Sequence, residues 1–311
     1  PKTYGAQSAV EGKTGVSGSH FRKGWIRNRL LAYAFVFGRP WKSVRELPKK
    51  SPDEAPRYVA TFDVAAGEAL LMKVGLSMTG ADGAKRNLAA DIPGWDFDAV
   101  RAAARAKWNA ILARTTCEGT DDQKRNWYTA LYHLYGQPND YADADGRFSA
   151  ADGKVCASPD GTYMTTLSLW DTFRAAQPWY TLAAPEIVTP VVNSMLSHYR
   201  TFGRLPVMSY GGKNVDCMVG NHAVPVIADA WLKGFRGFDA ALAFEAITNT
   251  LTVAHPGKPK ENWDLYDRYG YFPCDVIKGE SVSRTLECAY DDACAARFAT
   301  ALGKPEAAAF F

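Results

Sequence analysis

The sequence predicts a multi-domain β + α chain in which strands come first and helices follow. Three observations carry that reading. Over residues 58–64 and 69–78 apolar residues alternate with others, Tyr58, Ala60, Phe62 and Val64 in the first run and Leu70, Met72, Val74 and Leu76 in the second, which is the period of a half-buried strand. From Phe97 the period changes, and Phe97, Val100, Ala104, Trp108 and Ile111 recur at spacings of three and four, as on one face of a helix. Beyond Asp121, helical patterns alternate with long loops rich in Gly, Asn, Asp and Trp. Helical hairpins in a ring, with the loops forming one working face, would produce that pattern.

Composition narrows the class. At 311 residues the chain has room for one large domain or two ordinary ones. A net charge of +3, with no run of like charge beyond Lys49-Lys50, excludes the clustered basic surface that nucleic acid requires. No apolar run approaches the roughly 18–20 residues that span a bilayer. The six cysteines (Cys117, Cys156, Cys217, Cys274, Cys288 and Cys294) form no CxxC pair, against a zinc ribbon or a thioredoxin-type site. Cys288 and Cys294 read as small buried apolar groups on a helix. The chain starts at Pro1 without Met or a signal-peptide pattern, and reads as the start of a piece.

The elements follow in order. Residues 15–80 read as β structure. A strand over 30–37 ends at the turn Gly38-Arg39-Pro40, and a loop follows with Pro48, Pro52 and Pro56. The two alternating runs flank Gly67-Glu68 and predict a hairpin. So few strands do not make a stable sheet, so partner strands are expected upstream of Pro1. Residues 87–93 read as a short helical turn, and a helix over 97–114 starts from Asp96 as its cap. The domain boundary falls near residue 84, giving a β part at 1–84 and a helical part at 85–311. Further helices are predicted at 121–135, at 172–179, and through Ile187, Val191, Met195 and Tyr199. Three more follow: 222–233, with an outer Asp229–Lys233 pair, 238–250, and 281–302. The last would pack Val282, Leu286, Ala289, Ala293 and Phe298 inward and stop at Gly303.

The stretch 161–178, GTYMTTLSLWDTFRAAQP, organises the helical part. Trp170 offers a flat apolar face and Asp171 an acceptor-only carboxylate, the pair that sugar sites use to hold a C–H face and adjacent hydroxyls. Helix capping by Asp171 and core packing by Trp170 would explain the same residues. In the loop 137–154, Asp143-x-Asp145-Gly146 resembles part of a calcium loop, but the first Asp of an EF-hand would fall on Tyr141 and no Glu closes it. Asp-rich turns also arise because Asp bonds its own backbone. A lone His222 opening a helix reads as a cap or a packing group. The loop from Trp263 to Pro273 is aromatic with flanking acids, which suits carbohydrate or core. No GxSxG, P-loop or GxGxxG stands in a strand-to-helix setting. Glu287 and Asp291 share a helix face, whereas a glycosidase needs carboxylates on opposite sides of the bond, so they are not assigned as acid and base.

Taken together these stretches resemble glycoside hydrolase family 92, the calcium-dependent exo-acting α-mannosidases. The likeness is carried by residues 87–98 with the following Ala-rich helix, 123–133, 143–148, 168–175, 220–234 and 281–292. The runs NHAVPVIADA from Asn221 and SRTLE from Ser283 are the most specific, and the likeness extends from about residue 15 to the end. It implies the end of an N-terminal β-sandwich followed by part of an (α/α)6 barrel. It also implies removal of terminal mannose from α-mannosides with inversion, calcium that helps to distort the sugar, a mannose-containing oligosaccharide or glycoprotein glycan as partner, and secretion or a periplasmic location. Trp170-Asp171 matches the family's SLWD element, whose Asp contacts mannose, so both are assigned to substrate binding. The family's general acid lies in an EGNxWQY-like stretch, its calcium ligands in a GNEP-like one and its base pair in a D-x-D element. All follow the equivalent of Asp291-Asp292, and none stands before Phe311. Catalytic residues and calcium ligands are therefore expected beyond Phe311, no metal ligand is assigned within the chain, and the chain resembles an internal fragment. The alternative is a catalytically incomplete module that binds carbohydrate weakly or serves structurally. Ahead of Cys217-Met218 the family often carries Glu-Thr where this chain reads Asn214-Val215-Asp216, which leaves linkage preference open.

Overall fold

The computed structural model describes residues 2–26, 28–50, 54–253 and 262–311; Pro1 and Pro52 lie outside them. The chain forms two compact units, one of Pro1–Tyr128, Tyr141–Ser149 and Val155–Thr162, the other of Thr129–Asp140, Ala150–Lys154 and Tyr163–Phe311.

In the first unit, β1 (Lys2–Glu11), β2 (Gly15–Lys23) and β3 (Arg29–Phe37) run antiparallel, while β4 (Ser43–Glu46) and β5 (Tyr58–Thr61) form a separate pair. β6 (Met72–Ser77) then returns to the edge of β3, with Ala32 opposite Ser77 and Phe37 opposite Met72. The expected hairpin of 58–64 with 69–78 is therefore wrong. Alternation marks a half-buried strand but does not name its partner, and each run found a strand earlier in the chain. β1, polar and at the edge, carries no alternation strong enough to read.

The buried face of β6 also differs from expectation. Gly75 and Ser77 are covered, while Met72, Val74 and Leu76 are exposed. Helix α1 (Ala81–Asp91) lies so close that a Cβ on Gly75 would stand 2.2 Å from the carbonyl oxygen of Ala84. Only a small-residue face fits beneath it. α1 is also three turns long rather than the short turn expected over 87–93. α2 (Phe97–Leu112) starts as predicted, with the Asp96 carboxylate accepting from the Ala99 N–H, but its apolar stripe is not buried and Phe97 is 65 % exposed.

Asp143 ties this unit together. It is 2 % exposed; Oδ2 accepts hydrogen bonds from the hydroxyls of Ser77 (2.9 Å) and Thr79, and Oδ1 accepts from Asn87 Nδ2 (2.8 Å). The Asn87 carbonyl accepts in turn from the Ala144 N–H. Asp145 pairs with Arg86 and Arg147. These carboxylates, the basis of the calcium-loop resemblance, are thus engaged by neutral donors and guanidinium groups.

The second unit is helical. α3 (Asp121–Leu134) contributes to both units and β7 (Asn139–Asp140) follows it; the paired strands β8 (Arg147–Ser149) and β9 (Val155–Ala157) belong to the first unit, and β10 (Met164–Thr165) and β11 (Leu167–Ser168) lead into α4 (Leu169–Thr172) and α5 (Ala176–Ala183). α6 (Pro185–Phe202) buries Val191, Met195 and Tyr199 at the predicted spacing and ends at left-handed Gly203. β12 (Met208–Tyr210) and β13 (Lys213–Asn214) precede α7 (Ala223–Leu232), α8 (Ala240–Thr252), α9 (Trp263–Tyr269), α10 (Ser281–Ala301) and α11 (Pro305–Phe310). Met195, Ile227, Ile247 and Phe298 meet in one core. Trp263, Phe272 and Cys288 form a smaller one, so part of the aromatic stretch from Trp263 to Pro273 is packing.

α10 turns the opposite way from its apolar pattern. Val282 and Leu286 are 69 % and 66 % exposed, while the buried side carries Ser281, Cys288, Asp291, Ala295 and Phe298. Of the predicted inward set, only Phe298 is buried.

Replacing Asp143 by Ala should lower the stability of the protein by about 2–4 kcal/mol, because three buried or half-buried donors lose their acceptor. Urea unfolding reads this as a lower midpoint at unchanged slope. A midpoint equal to wild type would show that Ser77, Thr79 and Asn87 find other partners.

Candidate functional site

At the centre of the organising stretch α4 is a single turn whose inner and outer sides differ sharply. Leu169 is fully buried, Trp170 is 37 % exposed and Asp171 is exposed. The N-cap of α4 is Ser168, with no side-chain cap bond, and the Ser168 hydroxyl donates to Asp171 Oδ2. Asp171 therefore does not cap the turn, and Trp170 is not a core residue. An indole face and a carboxylate stand side by side at the surface.

Arg174 connects this pair to a buried charge array. Its guanidinium carbon lies 5.9 Å from the Trp170 ring and 4.6 Å from that of Phe173, within cation–π range, and its Nη2 donates to Glu287 Oε1 at 2.7 Å. The other oxygen of Glu287 lies 3.1 Å from His222 Nε2, close enough for charge attraction but without the alignment of a hydrogen bond. His222 Nδ1 lies 2.9 Å from Asp291 Oδ1, and Asp291 Oδ2 accepts from the Asn221 N–H at 2.6 Å. His222 and Asp291 are 1 % and 0 % exposed.

The local fold makes this array possible. Gly220 adopts φ 80, and a Cβ there would strike the His222 ring, with Nε2 2.5 Å away. Phe173 stacks on the same imidazole at 3.9 Å between centroids and 14° between planes. Burial pushes the Asp291 carboxyl upward, against the pull of His222 and the Asn221 N–H. Burial also pushes Asp292 up, to about 6; the charges of Asp291 and Asp267 add to this, and a 2.9 Å hydrogen bond from the Tyr266 hydroxyl opposes it.

A cleft of about 490 Å³ opens beside the array between α5, α7 and α10, lined among others by Arg174, Gln177, Asp229, Glu287, Tyr290 and Arg297. Trp170 and Asp171 are not among its lining residues; Arg174 bridges the two. Among the described residues no group of three or more His, Cys, Asp or Glu side chains could hold a metal ion. Sequence reasoning named Trp170 and Asp171 as a candidate pair and saw Glu287 and Asp291 on one face. It missed that both acids meet His222, because 69 residues separate that histidine from Asp291.

A model of the glycosyl hydrolase family 92 catalytic domain matches residues 83–311. A family GH92 α-mannosidase from Bacteroides thetaiotaomicron has a similar structure, with TM-score 0.89 and 31 % identity over 97 % of this chain and 42 % of that one. The same protein in complex with mannoimidazole gives TM-score 0.88 and 31 % identity over 97 % and 41 %. A family GH92 inverting mannosidase from that bacterium gives 0.89 and 29 % over 99 % and 44 %. In sequence, an uncharacterized secreted glycosidase of Arthroderma benhamiae is 26 % identical over 253 residues, 75 % of this chain and 28 % of the relative. The chain thus spans less than half the length of each of these relatives.

Two outcomes follow from the array. Asp291→Ala should cost about 3–5 kcal/mol, since it strands a buried imidazole and a buried N–H, while Asp291→Asn should cost less. Equal losses in thermal unfolding would point to packing rather than charge. Asp292 binds its proton more tightly folded than unfolded, so its contribution is full below about pH 4 and is lost as pH rises through about 6. With screening at its open side counted, that is about 1–2 kcal/mol. Asp292→Asn should flatten the stability curve between pH 4 and 7, and an unchanged slope would remove Asp292 as the source.

Proposed function

The chain belongs to glycosyl hydrolase family 92, and from that premise we propose that the whole protein is an exo-α-mannosidase that removes terminal mannose from α-mannosides with inversion. The observation that carries the reading is the outward Trp170–Asp171 pair, an apolar platform beside an acceptor-only group. The similar structures support the substrate class, since one is an α-mannosidase that holds mannoimidazole and another an inverting mannosidase. Likeness to a secreted glycosidase supports secretion. The same proposal takes the sheet of the first unit as the end of a β-sandwich and the helices of the second as part of an (α/α)6 barrel.

In this reading the Trp170 indole supports the C–H face of a terminal mannose and Asp171 accepts hydrogen bonds from its hydroxyls. Ser168, bonded to Asp171, fixes the orientation of that carboxylate. Hydrolysis with inversion requires a base that activates water and an acid that protonates the leaving oxygen across the sugar. The acids beside the cleft do not fit those roles: Glu287 is held by Arg174 and His222, and Asp229 pairs with Lys233. Their engagement favours a second reading, in which these 311 residues bind mannosides weakly and hydrolyse none. Calcium remains part of the proposal for the whole protein only. No donor set among the described residues fits it, so no step here runs through the ion.

In the active enzyme, Asp171→Ala should lower kcat/KM for a terminal α-mannoside by about 100-fold or more at an unchanged thermal midpoint. Activity within about twofold of wild type would remove Asp171 from the site. Chelation with EDTA should leave the thermal midpoint of the 311-residue protein unchanged. Calcium-dependent hydrolysis of mannosides by that protein alone would refute the second reading.

A further inference from the structure

We infer that Glu287 is a positioning residue that, braced by His222 and Asp291, holds the Arg174 guanidinium beside Trp170 as a hydrogen-bond donor to the sugar. The inference rests on the proposed sugar site at Trp170–Asp171 and adds the donor that site lacks.

A sugar hydroxyl both donates and accepts. Asp171 can only accept, so it leaves the oxygen lone pairs of the same hydroxyls unanswered. Arg174 follows Asp171 by three residues and Trp170 by four, on one side of a helical turn, with 51 % of its side chain exposed. Its guanidinium is within 5.9 Å of the Trp170 ring and carries five N–H donors, one of which goes to Glu287. A flexible arginine at a surface would lose affinity to side-chain entropy on binding, and a fixed one would not.

The bracing explains an otherwise costly arrangement. Glu287 is 19 % exposed on its side chain and sits between Arg174 and His222. His222 is locked by Phe173 stacking on its face and by Asp291 at Nδ1, and Asp291 is locked by the Asn221 N–H. Desolvating two carboxylates and an imidazole yields little net stability over apolar packing, but it fixes direction. The direction fixed here is that of the guanidinium.

The test is a double-mutant cycle read in binding. Intrinsic tryptophan fluorescence of the protein is titrated with methyl α-mannoside, for wild type, Arg174→Ala, Glu287→Ala and the double variant, with Glu287→Gln as an isosteric second variant should Glu287→Ala fold poorly. Arg174→Ala is expected to weaken binding about tenfold and Glu287→Ala about fivefold, with the Glu287 effect absent once Arg174 is gone. Arg174→Lys should restore only part of the loss, because a point charge does not reproduce the fork. Additive losses, or a Glu287 effect that persists without Arg174, would overturn the inference and reduce Glu287 to packing. Asp171→Ala separates the two readings. If it abolishes binding while the cycle is additive, only this inference falls; if wild type does not bind or Asp171→Ala binds normally, the sugar site itself falls and this inference with it.

Discussion

A carboxylate with no exposed surface has to be answered on every lone pair, and Asp291 is such a group. The cost of leaving it unpaired is several kcal/mol, more than any single apolar contact in the second unit supplies. That cost decides the rest locally. It selects which side of α10 turns inward, over a more apolar alternative face. It requires a donor ring at the start of α7, a glycine at position 220 that leaves room for the ring, and a backbone N–H aimed from Asn221. Phe173, one turn along from Leu169, then closes over the imidazole. The surface placement of Trp170 and Arg174 follows from how this stack seats the turn that bears them.

The first unit solves the same problem with different chemistry. Asp143 is nearly as buried, yet its partners are two hydroxyls and an amide rather than an imidazole. Neutral donors need no desolvated countercharge, so the lock is structural and inert. The array in the second unit includes two groups that are not fully buried, Glu287 and Arg174, and so passes the orientation of buried charges to the surface. This contrast is why one buried aspartate reads as a fold element and the other as a support of the proposed site.

What the sequence made legible tracks which forces are local. α6 was readable because its core contacts recur every fourth residue. The Asp96 cap was readable because its partner is three residues away. Trp170 and Asp171 were readable as a pair because adjacency alone places them together. The β5 and β6 partners were not, since strand pairing is a competition among distant segments that share one alternating pattern. α10 was misread because apolar count and burial parted company where a paired acid outweighed Val282 and Leu286. Asp143 showed itself as an Asp-rich turn, but its donors lie 56 to 66 residues earlier in the chain.

Charge pairing also bears on what the cleft between α5, α7 and α10 can do. A carboxylate acts as a general acid or base only if its proton can come and go at the reacting atoms. Glu287 is tied to the Arg174 guanidinium on one oxygen and faces the buried His222 ring on the other. Asp229 answers Lys233, and Asp291 does not reach the surface. In the proposed reading these residues hold the sugar site in place, and the acid and base lie elsewhere in the whole protein. A site that holds a neutral polyol needs acceptors, donors and an apolar platform in fixed relation. In the proposed sugar site Asp171, Arg174 and Trp170 would be one residue of each kind, set within five residues of chain.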